Sequence, residues 1–299
     1  MPTETVHIAE AGAPDDARGR LCSRSFLGLL VTQFLGALND NMFRWLVVPI
    51  GKVLVEQRYG PRYTTVALSA GLACFVLPYI LLAAPAGYLA DRFSKRAVIV
   101  GCKAAELLIV VLGVAGILSG NLYLMFAVVA LLGSQSALFG PSKFGCIPEI
   151  VRSDRISAAN GLIGMTTVLA VTLGSIGGAL LYELTSPVGT QMWGISAAAL
   201  LGVSGAGLIA SLLIAPLRSA NPARAVPLNV LRQTFRDLAA LGSNGPLFRA
   251  ALGTMAFWAL GALAQMNVDQ FVGFRRGLGQ FHVGGLLAGL AVGGGLGSV

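Results

Sequence analysis

The sequence predicts an all-α polytopic membrane protein, built as a six-helix N-terminal bundle followed by the first helices of a second bundle. Three observations carry this. Hydrophobic residues make up 55% of the 299 positions and charged residues only 11%, against the ~25% charge that a water-facing surface usually needs. Apolar runs of membrane-spanning length recur from Phe26 onward. The cations collect in the short segments between those runs, dense and sparse by turns.

The elements follow in order. Residues 1–25 are a polar tail with Arg18, Arg20 and Arg24, and no signal-peptide apolar core precedes Phe26. Spans are expected near 26–50, 66–90, 97–118, 122–140, 160–182, 191–216 and 248–271, with an eighth beginning near 283. Each complete span reaches the roughly 20 helical residues needed to cross a hydrocarbon core of about 30 Å. Strands of a membrane barrel would be about 10 residues long. The tail and the 91–96, 141–159 and 217–249 segments hold fourteen cations, whereas the opposite set (Lys52, Arg58, Arg62, Arg275, Arg276) holds five. Lys and Arg concentrate on the cytoplasmic side, so the N-terminus is expected inside.

The chain divides accordingly into a tail (1–25), a six-helix bundle (26–216), a basic cytoplasmic linker (217–247) and the start of a second bundle (248–299). Within the linker, Leu228–Leu241 has the pattern of a short amphipathic helix on the membrane surface. Leu35-Gly36-Ala37-Leu38 recurs as Leu260-Gly261-Ala262-Leu263, at the positions a six-plus-six repeat would pair. The 39 glycines fit close helix packing in lipid, where small residues let backbones approach.

Several functions are disfavoured. The net charge of +8 is spread between apolar spans, which sets topology and makes no nucleic-acid surface. Cys22, Cys74, Cys102 and Cys146 have no paired spacing, and two histidines, His7 and His282, supply no catalytic centre. The chain holds no Walker A run, no His-x-x-x-x-Asp acyltransferase motif and no nucleophile elbow, so no metal, cofactor or catalytic residue is expected.

The chemistry is expected where polar groups interrupt the spans. An ionisable group inside a bilayer costs at least about 2.5–3.5 kcal/mol on insertion scales, so it marks function by default. Span 1 holds Gln33, Asn39, Asp40, Asn41 and Arg44. Spacings of seven and four put Gln33, Asp40 and Arg44 on one helix face, with Asn39 and Asn41 about 100° to either side. Asp40 is placed to pair with Arg44 one turn on. This face reads as the contact for a head group or a coupling cation, sodium or proton. The bland alternative is an ion pair that fixes helix packing. In span 7, Gln265 and Asp269 share a face that would form the opposite wall. Span 3 holds Lys103 and Glu106, three apart; Lys103 is expected to snorkel to the cytoplasmic surface. Glu106 then either relays charge or simply pairs with Lys103. Lys143, beside Pro141 and Pro148 at the inner boundary, is a candidate for a lipid phosphate. The two prolines are expected to end the helix there.

The connection Gly87-Tyr88-Leu89-Ala90-Asp91-Arg92-Phe93-Ser94-Lys95-Arg96 closely resembles the major facilitator superfamily signature between helices 2 and 3. In that pattern Gly87 allows close packing, Asp91 accepts from amides opening the next helix, and Arg92, Lys95 and Arg96 stay at the inner surface. Ser94 departs from the usual Gly. Gln33–Arg44, Phe139–Ile150 and Ser157–Leu162 further resemble the bacterial lysophospholipid transporter branch. The resemblance covers spans 1 to 5. It implies a cytoplasmic gate at 87–96 and ATP-independent flipping of lysophospholipid across the bacterial inner membrane. It also implies re-acylation by an acyltransferase partner or a fused domain beyond Val299. Alternatives remain open: an ion- or proton-coupled efflux carrier for small amphipathic molecules, the membrane domain of an acyltransferase fusion, or a scaffold. Half a cavity wall cannot face lipid unpaired, so the sequence is expected to be a fragment, or to assemble with a second chain.

Overall fold

A computed structural model describes residues 19–185, 192–225 and 229–274, together with Gly289 and Gly293. These residues form helices α1 (Arg24–Tyr59), α2 (Thr64–Leu81), α3 (Ala83–Arg92), α4 (Lys95–Ser119), α5 (Leu122–Ile150), α6 (Ile156–Thr185), α7 (Trp193–Ser211), α8 (Val230–Ser243) and α9 (Gly245–Phe274), and no strand. Apart from Gly289 and Gly293, the expected eighth span lies outside the described residues.

Local chemistry explains the boundaries. The side chains of Ser23, Asn121 and Asn229 accept from the backbone N–H groups of Phe26, Leu124 and Arg232 at 3.3, 3.1 and 2.9 Å, capping α1, α5 and α8. Gly120 ends α4 in the left-handed region (φ 61°), so the α4–α5 hairpin turns within two residues, Gly120 and Asn121.

Proline acts differently at two sites. The second span divides at Leu82 because Pro85 lies in the first turn of α3. Proline lacks the N–H that would reach Leu81, and its ring crowds that carbonyl. The expected break at Pro141 and Pro148 does not occur: α5 runs through both to Ile150. A mid-helix proline costs ~3 kcal/mol, and packing overrides it here. Phe139, Cys146, Ile147 and Ile150 are buried in one cluster with Phe26, Ile99 and Ile163.

Among the described residues five stretches are long and apolar enough to cross a membrane: Pro61–Leu81, Lys95–Ser119, Leu122–Ile150, Ser153–Thr185 and Trp193–Ser211. Helix α1 is longer, at 36 residues, but polar groups dilute its apolar run. The outward faces are greasy: Val66, Leu72, Leu77 and Ile80 of α2 are each at least 52% exposed. An apolar surface of that kind is stable only against lipid or another apolar partner.

Helix α1 is the hub, packed against α2, α5, α6 and α7. A Cβ on Gly174 would strike the Leu38 carbonyl, and one on Gly178 the Met42 carbonyl. The four-residue spacing on each helix places α6 backbone directly on α1 backbone, the small-xxx-small contact of membrane helices. Gly133 of α5 approaches the Phe75 carbonyl of α2 in the same way. Two apolar clusters form the core. One gathers Phe43, Leu46, Val110, Met125 and Leu132; the other gathers Phe26, Leu29, Ile99 and Ile147. Along α1 the polar stretch Gln33–Asn41 falls between them.

Candidate functional site

The polar stretch of α1 opens onto a cavity of about 1150 Å³, walled by α1, α2, α4, α5, α6 and α9. Gln33, Asp40, Asn41 and Arg44 all line it. Asn39 lies behind that wall, fully buried, with its amide 3.5 Å from Glu106 Oε1.

Asp40 and Arg44 do not form the expected ion pair. Asp40 Oδ2 accepts from Ser136 Oγ on α5 at 2.6 Å, while Arg44 Nη2 donates to Asn41 Oδ1 at 2.5 Å and its guanidinium sits 5.4 Å from the Phe75 ring centroid. A nearby amide oxygen and an aromatic face satisfy the guanidinium, while a cross-helix hydroxyl holds the carboxylate. Gln33 Nε2 reaches across to Thr167 Oγ1 on α6 at 2.9 Å.

Lys103 does not snorkel. It is 1% exposed, and its Nζ donates to Glu106 Oε2 at 2.5 Å. Gln135 Nε2 also approaches Glu106 Oε2, at 3.3 Å, and Ser136 Oγ bridges Gln135 Oε1 at 3.2 Å. A continuous polar chain thus runs Lys103–Glu106–Gln135–Ser136–Asp40. Gly36 lies over it; any side chain there would collide with Lys103 Nζ. The reach of Lys103 is decided by this partner, because a buried carboxylate one turn away satisfies an ammonium better than a long detour to the surface.

Lys143 also lines the cavity, 4.4 Å from the Phe144 ring centroid and 5.8 Å from that of Phe139. Helices α1 and α5 run antiparallel, with Gly51 beside Leu122 at one end and Gly19 bonded to Ile150 at the other. Arg44 and Lys143 therefore flank the Asp40–Ser136 contact on opposite sides, about 6 and 10 Å along their helices at 1.5 Å per residue.

On the far wall α9 contributes Phe257, Leu260, Gly261 and Ala264. The side chains of Gln265 and Asp269 lie outside the described residues. Sequence reasoning missed Tyr79, Gln135, Ser136, Thr167 and Thr172, which also line the cavity. The available signal was uncharged: polar side chains inside otherwise apolar spans.

The 87–96 connection is a docking knot. Asp91 does not cap α4; Ser94 does, its Oγ accepting from Ala97 N at 3.5 Å. Ser94 has φ −57° and ψ 127°, so no glycine is required there. Asp91 instead pairs with Arg224 of the linker, and Asn221 N donates to the Asp91 carbonyl at 2.8 Å. In return Arg92 Nη1 donates to the Arg224 carbonyl at 2.6 Å. Lys95 pairs with Glu149 of α5, and Arg96 Nη2 donates to the Leu212 carbonyl at 3.3 Å. Gly87 makes no close helix contact: a Cβ there would meet nothing within 4 Å, and its carbonyl accepts from Arg224 at 3.5 Å.

A multi-pass α-helical bundle around a cavity that carries charged and polar side chains on mostly apolar walls defines a polytopic membrane protein with an internal site. The chain belongs to the Major Facilitator Superfamily, whose family model matches residues 29–299. It is similar to a lysophospholipid transporter of Cronobacter sakazakii, 32% identical over 244 residues, covering 81% of this chain and 56% of that protein. A lysophospholipid transporter of Serratia proteamaculans is 30% identical over 247 residues, 81% of this chain and 56% of that protein. One of Pectobacterium carotovorum is 30% identical over 244 residues, 81% and 54% respectively. The chain thus spans little more than half the length of these relatives.

Proposed function

We propose that this chain supplies the first bundle, and the opening of the second, of a secondary transporter that moves lysophospholipid across the bacterial inner membrane by alternating access. The observation that carries it is the cavity: cations at two levels, Arg44 and Lys143, neither paired with a carboxylate among the described residues, on either side of Asp40. A phosphate head group passing along such a cavity exchanges one cation for the other without entering hydrocarbon bare. The relatives named above support lipid as the cargo. On this reading the N-terminus is cytoplasmic, and Arg44 sits on the outer side of Asp40 and Lys143 on the inner. The 87–96 knot then lies at the cytoplasmic gate.

A coupling cation, sodium or a proton, belongs to the proposal. Buried Asp40 Oδ1 and Asn39 Oδ1 have no hydrogen-bond partner, which leaves acceptor capacity for it. The arriving lysolipid would be re-acylated by a partner or fused acyltransferase. The test is uptake of labelled lysophospholipid by vesicles containing the full-length protein, without ATP. Wild-type protein should concentrate the label, and Asp40→Ala should abolish uptake with insertion and expression intact. Absence of wild-type uptake sinks the proposal; unchanged uptake by Asp40→Ala removes Asp40 from the mechanism.

A further inference from the structure

Arg44 lines two cavities. Beyond the central one, a second pocket of about 250 Å³ lies between α1, α2 and α5, its walls mostly apolar, with Arg44, Lys52 and Thr64 as the polar residues of the lining. Trp45, Val48, Leu68, Leu72, Met125 and Phe126 form much of its lining. Along α1 it extends from Arg44 to Val55, about 16 Å at 1.5 Å per residue. One leaflet of a hydrocarbon core about 30 Å thick is about 15 Å deep. The pocket therefore has the length of a single acyl chain in one leaflet, with Arg44 at the end that meets the central cavity and the exposed Lys52 further along α1. Trp45 adds an indole N–H that is buried without a hydrogen-bond partner, on the residue next to Arg44.

Resting on the lysolipid reading above, we infer that this α1/α2/α5 pocket is the acyl-chain subsite. It holds the one chain of a lysolipid while the phosphate lies on the Arg44 side, so that pocket length selects chain length. Two glycines line it. A Cβ on Gly71 would meet Phe126 at 3.5 Å, and one on Gly51 would meet Leu122 at 3.8 Å, both ordinary contacts. A larger side chain at either position projects into the pocket without forcing the helices apart.

The experiment compares lauroyl and palmitoyl lysophospholipids of one head group, using the full-length protein in vesicles. Each methylene denied burial weakens binding about fourfold, from about 0.8 kcal/mol per CH₂. Gly71→Leu and, independently, Gly51→Leu should shift the palmitoyl-to-lauroyl uptake ratio at least about tenfold towards lauroyl. On wild-type protein, a palmitoyl lysolipid carrying a photoreactive group at its chain terminus should label residues of α1, α2 and α5 that line the pocket. Wild-type uptake with an unshifted ratio in both folded variants overturns the subsite and leaves the transport reading standing. Terminal labelling confined to the central cavity or to lipid-facing residues such as Ile80 does the same, and decides the matter if neither variant folds. A wild type that neither binds nor moves lysolipid overturns both readings.

Discussion

Removing Glu106 should expose the role of the buried polar chain. In Glu106→Ala the Lys103 ammonium, 1% exposed, loses the carboxylate 2.5 Å away, and no other carboxylate is paired with it among the described residues. Breaking a buried pair by deleting one partner costs about 3–5 kcal/mol, because the remaining charge is uncompensated. The amides of Asn39 and Gln135 lose an acceptor as well. Their contacts, at 3.5 and 3.3 Å, are long, and membrane hydrogen bonds average only about 0.6 kcal/mol, so they add little. The total stays near 4 kcal/mol, roughly a thousandfold in the folded-to-unfolded ratio at about 1.4 kcal/mol per decade. The measurement is the unfolding midpoint of the full-length protein in detergent, set beside lysolipid uptake in vesicles. The double variant Lys103→Met with Glu106→Leu should return to within about 1 kcal/mol of wild type, since apolar replacements of a buried pair are often neutral or stabilising. A double variant no more stable than Glu106→Ala refutes the ion-pair account. A double variant that is stable yet inactive refutes the purely structural reading and makes the pair a charge relay.

Two further outcomes test the packing and the linker. Gly178→Leu drives a side chain into the Met42 carbonyl and should destabilise by about 1–3 kcal/mol or more, as overpacking does. Gly177→Ala, whose Cβ would meet only the Met42 side chain and no closer than 3.4 Å, should stay within ~0.5 kcal/mol in the same unfolding assay. Arg224→Ala removes an ion pair whose partners are 30% and 44% exposed, so stability should change by less than about 1 kcal/mol. Amide exchange at Asn221 and Arg224 should nevertheless rise, because their backbone contacts depend on that anchor; unchanged exchange would show that the backbone bonds alone hold the linker.

Much of the architecture was legible in sequence, because lipid imposes long apolar runs and leaves few places for charge. The face of α1 was readable for the same reason: Gln33, Asp40 and Arg44 recur at helical spacing, and all three reach the cavity. What the residues bond to was not. Asp40 finds Ser136 across 96 positions, and Asp91 finds Arg224 across 133; no local pattern encodes either. Local rules also misjudged strength. Proline chemistry predicts a break at Pro141, but burial of Phe139, Cys146 and Ile147 carries α5 onward. Length predicts that Lys103 escapes to the surface, but Glu106 retains it. Ser94 departs from the glycine usual in the signature, and it is the cap of α4.

The contact of Gly174 and Gly178 with the Leu38 and Met42 carbonyls limits how this bundle can change shape. With no side chains between them, the two backbones cannot slide by swapping rotamers, and any displacement would drive helix into helix. Helices α1 and α6 are therefore a single strut. On the transport reading proposed above, the motion that carries cargo past Asp40 leaves that strut intact and takes place where bulky, adaptable side chains meet, as on α9 with Phe257 and Leu260. On the same reading Gln33 and Thr167, bonded across the strut, form a fixed rail in the cavity wall, and the wall facing them is the part expected to move.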